Sequence, residues 1–283
     1  MEPVYLSTFS ESDIQGTQPA MKVGLLATIT PEGLSHVTLL SSLMACGPTQ
    51  LCFGQFTEGM SKQHILSNPR AGFLIMGLDK NLWRGKASYT HLAKNGVEYD
   101  YYNNVPMFRY NAYFGIHTVH YMNLVETYGR EGLLLAKIIL GSMLTKAAKS
   151  AAGTNNEDRI LRPWAEGLFN RLDTVKFLSY VGDDGFPVII PLIQCQAADS
   201  RRLAFSPLAF GAELKNLKRG MEVAVFGLTL DMEDVLTRGT FTGFSRYRGI
   251  MLGCVDITWV YNSMPPKPCQ IYPEQELKPV VNF

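Results

Sequence analysis

The feature that most constrains the fold of this chain is an internal repeat with a spacing of about 150 residues. Residues 24–33 (GLLATITPEG) resemble residues 176–185 (KFLSYVGDDG), and in each an apolar stretch ends in an acidic residue followed by glycine. This pattern predicts a strand that enters a hairpin turn. Gly33 and Gly185 lie 152 positions apart, as do the apolar clusters 51–53 and 203–205. The chain is therefore expected to fold as two related halves.

Three further pairs of segments support the repeat. Residues 68–73 lie opposite 219–224 at a spacing of 151, and residues 83–87 (WRGKA) lie opposite 237–241 (TRGTF) at 154. Residues 113–117 correspond to 247–251 at a spacing of only 134. The shorter last spacing predicts about twenty extra residues in the first copy, near positions 91–111.

Each copy has short apolar strands joined by turns, with helices confined to connections. Such an order favours a mainly β (α+β) fold over a parallel α/β sheet. Helices are expected at 61–68, before Pro69, and at 212–219, before Gly220. Two more are expected between the copies, at 128–152 and 163–172. The predicted domains are therefore 1–127 and 173–283, with a helical linker at 128–172 and a proline-rich, extended tail after residue 263.

Composition limits the partners and the compartment. The chain has 26 basic and 25 acidic residues, so its net charge of +1 gives no reason to expect nucleic acid as a partner. The five cysteines form no CxxC pair, which favours a reducing compartment. We expect neither a signal peptide nor a membrane span, because no basic stretch followed by an apolar run opens the chain and the apolar stretch 132–144 is short. A cytoplasmic protein is the expectation.

The stretch 53–62 (FGQFTEGMSK) carries the strongest chemical signal. It leaves a strand, passes two glycines and enters a helix, whose first N–H groups and positive dipole end are suited to a phosphate. Thr57 and Ser61 add hydroxyl groups, and Lys62 adds a positive charge. The alternative is that a hydroxyl caps the helix and Lys62 is a solvated surface residue. A nucleotide P-loop is rejected because Met60 stands where that motif requires lysine, and no GxGxxG motif occurs.

Residues 26–87 together resemble the pyridoxamine-phosphate-oxidase-like split-barrel flavoproteins. The resemblance lies in the acidic-Gly turn, the Ser/Thr and Lys loop before a helix closed by Asn-Pro-Arg, and the strand with Arg-Gly-Lys-Ala. It implies two tandem split β-barrel domains that form an intramolecular pseudo-dimer and bind FMN. Many members carry arginine on the second strand, where this chain has His36 and Thr38. The FMN-binding residues that it implies are His36, Thr38, Ser41, Gln55, Phe56, Thr57, Ser61, Lys62, Asn81 and Trp83.

The second copy lacks the residues that a phosphate needs. Residues 209–213 (AFGAE) stand opposite the phosphate loop, and Val188 and Ile190 stand opposite His36 and Thr38. One flavin site is therefore expected, with the second copy as its opposing wall. Arg246, Tyr247 and Arg248 are candidates for that wall, and the alternative is that they are exposed edge residues.

Two functions remain open at this point. The first is an FMN-dependent oxidoreductase whose electron donor is a nicotinamide or a protein, and whose acceptor the sequence does not identify. The second is a non-enzymatic flavin- or haem-binding module, with a haem ligand among His36, His64, His117 and His120. No metal site is expected, because residues three apart on a strand, such as His117 and His120, face opposite sides. A monomeric pseudo-dimer and a homodimer are both compatible with the sequence.

Overall fold

The structure is a computed structural model. It describes residues 5–56, 59–110, 116–154, 158–262 and 269–273. Contacts divide the chain into two compact units. The first unit contains Met1–Leu133 and Val181–Ile189, and the second contains Leu134–Tyr180 and Ile190–Phe283. No helix within the described ranges is long and apolar enough to cross a membrane.

Two sheets contain nearly all of the strands. The first has the order β2-β1-β5-β6-β7-β4-β3 and consists of β1 (Lys22–Ile29), β2 (Ser35–Leu39), β3 (Met44–Gly47), β4 (Gln50–Gln55), β5 (Arg70–Gly77), β6 (Asn81–Ala93) and β7 (Thr118–Gly132). The second has the order β10-β11-β14-β13-β12-β8-β9 and consists of β8 (Val175–Val181), β9 (Pro187–Pro191), β10 (Gln196–Ala197), β11 (Arg202–Phe205), β12 (Glu222–Leu228), β13 (Asp234–Tyr247) and β14 (Ile250–Asn262). A short strand of the tail, β15 (Cys269–Tyr272), pairs with β14, as expected for an extended tail.

The helices are short and lie in the connections. They are α1 (Glu11–Thr17), α2 (Met60–Ser67), α3 (Val97–Asn104), α4 (Pro106–Tyr110), α5 (Leu135–Ala148), α6 (Pro163–Asn170) and α7 (Gly211–Leu214). Two predictions were wrong in extent. The helix expected at 128–152 begins only at Leu135, because β7 continues to Gly132 and pairs there with Asn81. The helix expected at 212–219 is the four-residue α7, which begins after Phe210 in a left-handed conformation.

The two sheets have the same strand order. Read from its other edge, the second sheet is β9-β8-β12-β13-β14-β11-β10, in which each strand stands seven later than its counterpart in the first. The pairing register agrees: Leu26 pairs with Phe73 and Leu178 with Val225, so both strands keep the spacing of 152. The prediction of a mainly β fold with two related halves and helical connections is thus confirmed.

The register corrects three of the local spacings. Phe73 pairs with Gly85, and Val225 pairs with Thr237, so the spacing of 152 continues through β6 and β13 and the predicted values of 151 and 154 were wrong. On the last strands, Cys52 pairs with Tyr121 and Ala204 with Cys254, a spacing of 133 where 134 was expected.

The change from 152 to 133 means that the first copy holds nineteen more residues than the second. The prediction of an insertion near 91–111 is confirmed, because α3 and α4 lie there. Tyr102 of α3 is fully buried, and its hydroxyl donates to the backbone oxygen of Ser42 at 2.6 Å. The insertion is therefore packed onto the first sheet rather than held away from it.

The core of the first unit lies on the inward faces of β1, β4, β5, β6 and β7. Alternate residues of these strands point inward, and the largest contributions come from aromatic rings. The members of this core include Leu26, Phe53, Phe73, Trp83 and Met122. The start of α2 sits at the edge of this core, next to β1 and β2.

Candidate functional site

The start of α2 is held against β2 by two pairs of side chains. Thr38 and Ser61 share a hydrogen bond between their hydroxyl groups, and the rings of His36 and His64 meet edge to face with centroids 5.2 Å apart. Residues two apart on a strand and three apart on a helix share a face, so the pairs lie side by side. The two predicted residues of β2 thus both face α2.

The two pairs have different roles. His36 and His64 are buried, and Nδ1 of His64 lies 3.3 Å from the hydroxyl oxygen of Thr28. We therefore infer that His36 packs against α2 and supports it on β2. Thr38 is half-buried and Ser61 is the second residue of the helix. Their hydroxyl groups therefore mark the place where the first turn of α2 meets the strand.

The first turn of α2 has no side chain at its cap. Its N-cap is Gly59, in an extended conformation, and a Cβ atom at that position would meet nothing within 4 Å among the described residues. Glycine has no side-chain oxygen, so at Gly59 only the backbone oxygen accepts, from the N–H of Lys62 at 3.2 Å, and no side chain of the cap residue bonds the first N–H groups at the positive end of the helix. The predicted residue Thr57 lies outside the described residues.

Lys62, in the first turn, acts electrostatically on a buried imidazole. His120 of β7 is 2% exposed, and burial lowers its pKa to about 4, with a further contribution from the positive charge of Lys62. His120 is therefore neutral at pH 7. Lys62 is half-buried, so its charge is only partly screened by solvent.

His120 connects to the end of β4 through Gln55. Its Nε2–H donates to Oε1 of Gln55 at 2.7 Å, and its ring stacks on Phe53 at 4.9 Å with an angle of 7° between the planes. The other ring nitrogen, Nδ1, is buried and has no hydrogen-bond partner among the described residues. Gln55, a predicted site residue, is thereby held at the end of β4.

Two more predicted residues, Phe56 and Ser41, lie in the segments that follow β4 and β2. Phe56 follows β4 directly, and its ring is 5.8 Å from that of Phe108 in the inserted helix α4. Ser41 is half-buried in the turn that follows β2. The insertion of the first copy therefore touches the loop that carries the candidate site.

Trp83 and Asn81 are engaged elsewhere. Trp83 is 2% exposed and belongs to the core, and its indole N–H donates to Oδ1 of Asp13 at 2.8 Å. The only polar group of the Trp83 side chain, a residue that the resemblance implies for FMN binding, is therefore bonded within the first unit. The side-chain amide of Asn81 donates to the carboxylate of Asp79. Both side chains therefore serve local structure.

Arg248 belongs to the second unit and has a local role there. It stands in the β13–β14 turn with a φ of 49°, and its Nη1 donates to the backbone oxygen of Ala147 at 3.2 Å. A cation that bonds the last carbonyl groups of a helix is a common C-terminal arrangement. The contact favours the alternative, in which Arg248 is an exposed edge residue that secures the end of α5.

The second unit carries apolar or acidic residues at the corresponding positions. With the spacing of 152, Ser61 and Lys62 correspond to Glu213 and Leu214, and Gln55 corresponds to Pro207. With the spacing of 133, His120 corresponds to Gly253. Gly253 pairs with Phe205, just as His120 pairs with Phe53 in the first unit. A Cβ atom at Gly253 would come within 2.8 Å of both Phe205 and Phe244. Phenyl rings thus fill the space that the imidazole occupies in the first unit.

The histidines form no metal centre in the described part of the chain. There, no three histidine, cysteine, aspartate or glutamate residues are grouped so that they could hold an ion. His117 is exposed and its Nδ1 lies 2.8 Å from the hydroxyl oxygen of Thr118, whereas His120 is buried. His117 lies just before β7 and His120 lies within it, so the two imidazoles are in different environments.

The sequence analysis missed the pairing of His120 with Gln55. The two residues are 65 positions apart, and only the register of β4 against β7 brings them together. Residues 118–122 are all buried, so the strand has no exposed face there whose alternation could have identified the side that His120 occupies.

No protein-family model and no curated protein matches the chain. Several solved structures are similar to part of it. An FMN-binding protein from Syntrophomonas wolfei is 13% identical over 41% of this chain and 80% of its own, with a TM-score of 0.34. An F420 reductase is 16% identical over 42% of this chain and 97% of its own, with a TM-score of 0.33. A FAD-binding protein from Mesorhizobium loti is 16% identical over 46% of this chain and 99% of its own, with a TM-score of 0.31.

Proposed function

We propose that the first unit binds FMN with its phosphate at the start of α2, and that the protein is a flavin-dependent oxidoreductase. The observation that carries this proposal is the hydroxyl pair of Thr38 and Ser61 beside the uncapped first turn of α2, with Lys62 in the same turn. The sequence resemblance to the split-barrel flavoproteins points to the same residues.

The donors at this position suit a phosphate dianion. Backbone N–H groups at a helix start and hydroxyl groups supply hydrogen bonds, and a lysine supplies charge. Because His120 is neutral at pH 7, Lys62 provides the positive charge of the cluster while Gln55 contributes an amide. These residues fit the phosphate end of FMN. FAD and F420, which also carry phosphates, remain outcomes of the test.

One flavin per chain follows from the second unit. Glu213 and Leu214 stand where Ser61 and Lys62 stand in the first unit, so a phosphate there would meet a carboxylate instead of a hydroxyl group and a leucine instead of a lysine. The equal strand orders support a duplication of one split-barrel unit, after which only the first copy kept its site. The arrangement of the two copies as a pseudo-dimer is part of this proposal.

The flavin, when bound, supplies hydride or electron transfer. The residues of this chain bind it, fix its phosphate and exclude water from the buried side of the site. The electron donor in this proposal is a nicotinamide or a partner protein. The haem alternative has less support, because three of its four candidate ligands, His36, His64 and His120, are buried and the fourth, His117, is exposed.

The absorption spectrum of the purified protein tests this proposal. We expect flavin bands, and FMN as the compound released on denaturation; protein purified without flavin should take up FMN to one equivalent per chain. A Soret band would support haem instead, and a colourless protein that takes up no added FMN would refute flavin binding. Oxidation of NADH or NADPH by the FMN-loaded protein with a dye acceptor then tests the oxidoreductase activity.

A further inference from the structure

Gln55 and His120 are brought together by the pairing of β4 with β7. Phe53 pairs directly with His120, and Gln55 is two residues further along β4. Residues two apart on a strand share a face, so Gln55 lies diagonally across from the imidazole on the same side of the sheet. The contact between Nε2 of His120 and Oε1 of Gln55, at 2.7 Å, follows from this register.

The contact defines the tautomer of His120. An amide oxygen only accepts hydrogen bonds, so Nε2 of the imidazole must carry the proton. A neutral imidazole has one N–H group, which leaves Nδ1 with a lone pair. Nδ1 is buried and has no hydrogen-bond partner among the described residues. The contact of Nε2 with Gln55 thus indicates the Nε2–H tautomer.

The orientation of the Gln55 amide follows from the tautomer. With Oε1 held by His120, the amide nitrogen of Gln55 points away from the imidazole with two N–H donors. Gln55 is half-buried and is the last residue of β4, in the segment that leads to α2. We propose that His120 is a positioning residue, which presents the N–H donors of Gln55 to an oxygen acceptor of the bound flavin.

This inference rests on the proposed flavin site, and the second unit supports it. There, Pro207 and Gly253 stand at the positions of Gln55 and His120, so both partners of the hydrogen bond are missing together. Phe205 and Phe244 close the space over Gly253. The fold therefore needs only apolar packing at this position, and the polar pair occurs in the unit that has Lys62.

Burial supports a fixed orientation over the working pH range. Because the pKa of His120 is lowered to about 4, the ring stays neutral and keeps one N–H group at pH 5–8. The imidazole of His120 therefore adds no second positive charge near Lys62. It also gains no second N–H group that would reverse the amide of Gln55.

Two substitutions of His120 separate positioning from packing. His120→Phe keeps a ring stacked on Phe53 but removes the donor to Gln55. His120→Gln places an amide N–H close to the position of Nε2 and restores the donor. We expect His120→Phe to raise the Kd for FMN about tenfold, which is the loss of about one hydrogen bond, and His120→Gln to stay within about threefold of the wild type. Equal affinities for the wild type and His120→Phe, or equal losses in both variants, would overturn the proposal.

A measurement without flavin separates this inference from the proposed function. ¹⁵N NMR of the flavin-free protein reports the tautomer of His120, and we expect a protonated Nε2 and an unprotonated Nδ1. The opposite tautomer would overturn the positioning role whether or not FMN binds. The expected tautomer in a protein that binds no FMN would refute the flavin site and, with it, the ligand that Gln55 is proposed to meet. Thermal unfolding of both variants controls for loss of fold.

Discussion

Lys176 provides a test of the structure through the pH dependence of stability. It lies on β8, where the first unit has Gly24, and its side chain is 0% exposed. Its Nζ donates to the backbone oxygens of Arg171 at 2.8 Å and Ile193 at 3.4 Å. Burial of the charged form lowers its pKa from 10.5 to about 8.

The magnitude follows from linkage between protonation and folding. The lowering of the pKa from 10.5 to about 8 corresponds to roughly 3 kcal/mol, because each pKa unit is worth about 1.4 kcal/mol. Below pH 8 both states carry the proton, and the folded state bears the full cost of the buried charge. Between pH 8 and 10.5 the unfolded state binds more protons, so the free energy of unfolding rises with pH by up to that amount.

The perturbation is Lys176→Met, which keeps the length of the side chain and removes the titrating group. Urea unfolding at pH 7.5 and 10.5, followed by intrinsic fluorescence, measures the free energy of unfolding. We expect the wild type to gain about 3 kcal/mol relative to Lys176→Met between the two pH values. Lys137→Met, at an exposed position of α5, should keep a constant difference from the wild type. A constant difference for Lys176→Met as well would refute the reasoning.

Three further substitutions test the packing around the candidate site and in the second unit. Trp83→Phe removes the indole N–H that donates to the buried Asp13 carboxylate, and we expect a loss of about 1–3 kcal/mol in urea unfolding with unchanged FMN affinity. Gly253→Ala places a Cβ atom within 2.8 Å of Phe205 and Phe244, so thermal unfolding should show a loss of about 1–3 kcal/mol; an unchanged Tm would contradict the close packing. Arg248→Ala should leave the Kd for FMN unchanged and cost at most about 1 kcal/mol, and a marked loss of affinity would return Arg248 to the flavin site.

Local turn chemistry made much of the fold predictable. Gly33 and Gly185 have φ values of 79° and 78°, a conformation that favours glycine, so the acidic-Gly pairs identified both hairpins and the spacing of 152 between them. Pro69 likewise identified the end of α2. The turns and the helix end depend only on residues that are adjacent in the chain, so both can be predicted from a single sequence.

Features that depend on distant residues were harder to predict. The Arg-Gly pairs of β6 and β13 look alike in the sequence. The hydrogen-bonded register nevertheless makes Gly85 equivalent to Thr237, two positions before Gly239. Trp83 was expected at the flavin site because of the family resemblance. The sequence alone does not show that Asp13, seventy positions earlier, accepts its N–H. Within the candidate site, Ser61 and Lys62 were predicted from the helix start, whereas His120 needed the pairing of β4 with β7.

The central claim is that a flavin phosphate binds at the start of α2 in the first unit only. Calorimetric titration with FMN and with riboflavin, which lacks the phosphate, tests it most directly in the wild type, Lys62→Glu and Lys215→Glu. Lys215 is the exposed lysine at the end of α7 and serves as the matched control. We predict one FMN per chain, tighter than riboflavin, with a loss of at least about tenfold in FMN affinity for Lys62→Glu alone and no change for riboflavin. Equal affinity of the wild type and Lys62→Glu for FMN, or two FMN molecules per chain, would contradict the account.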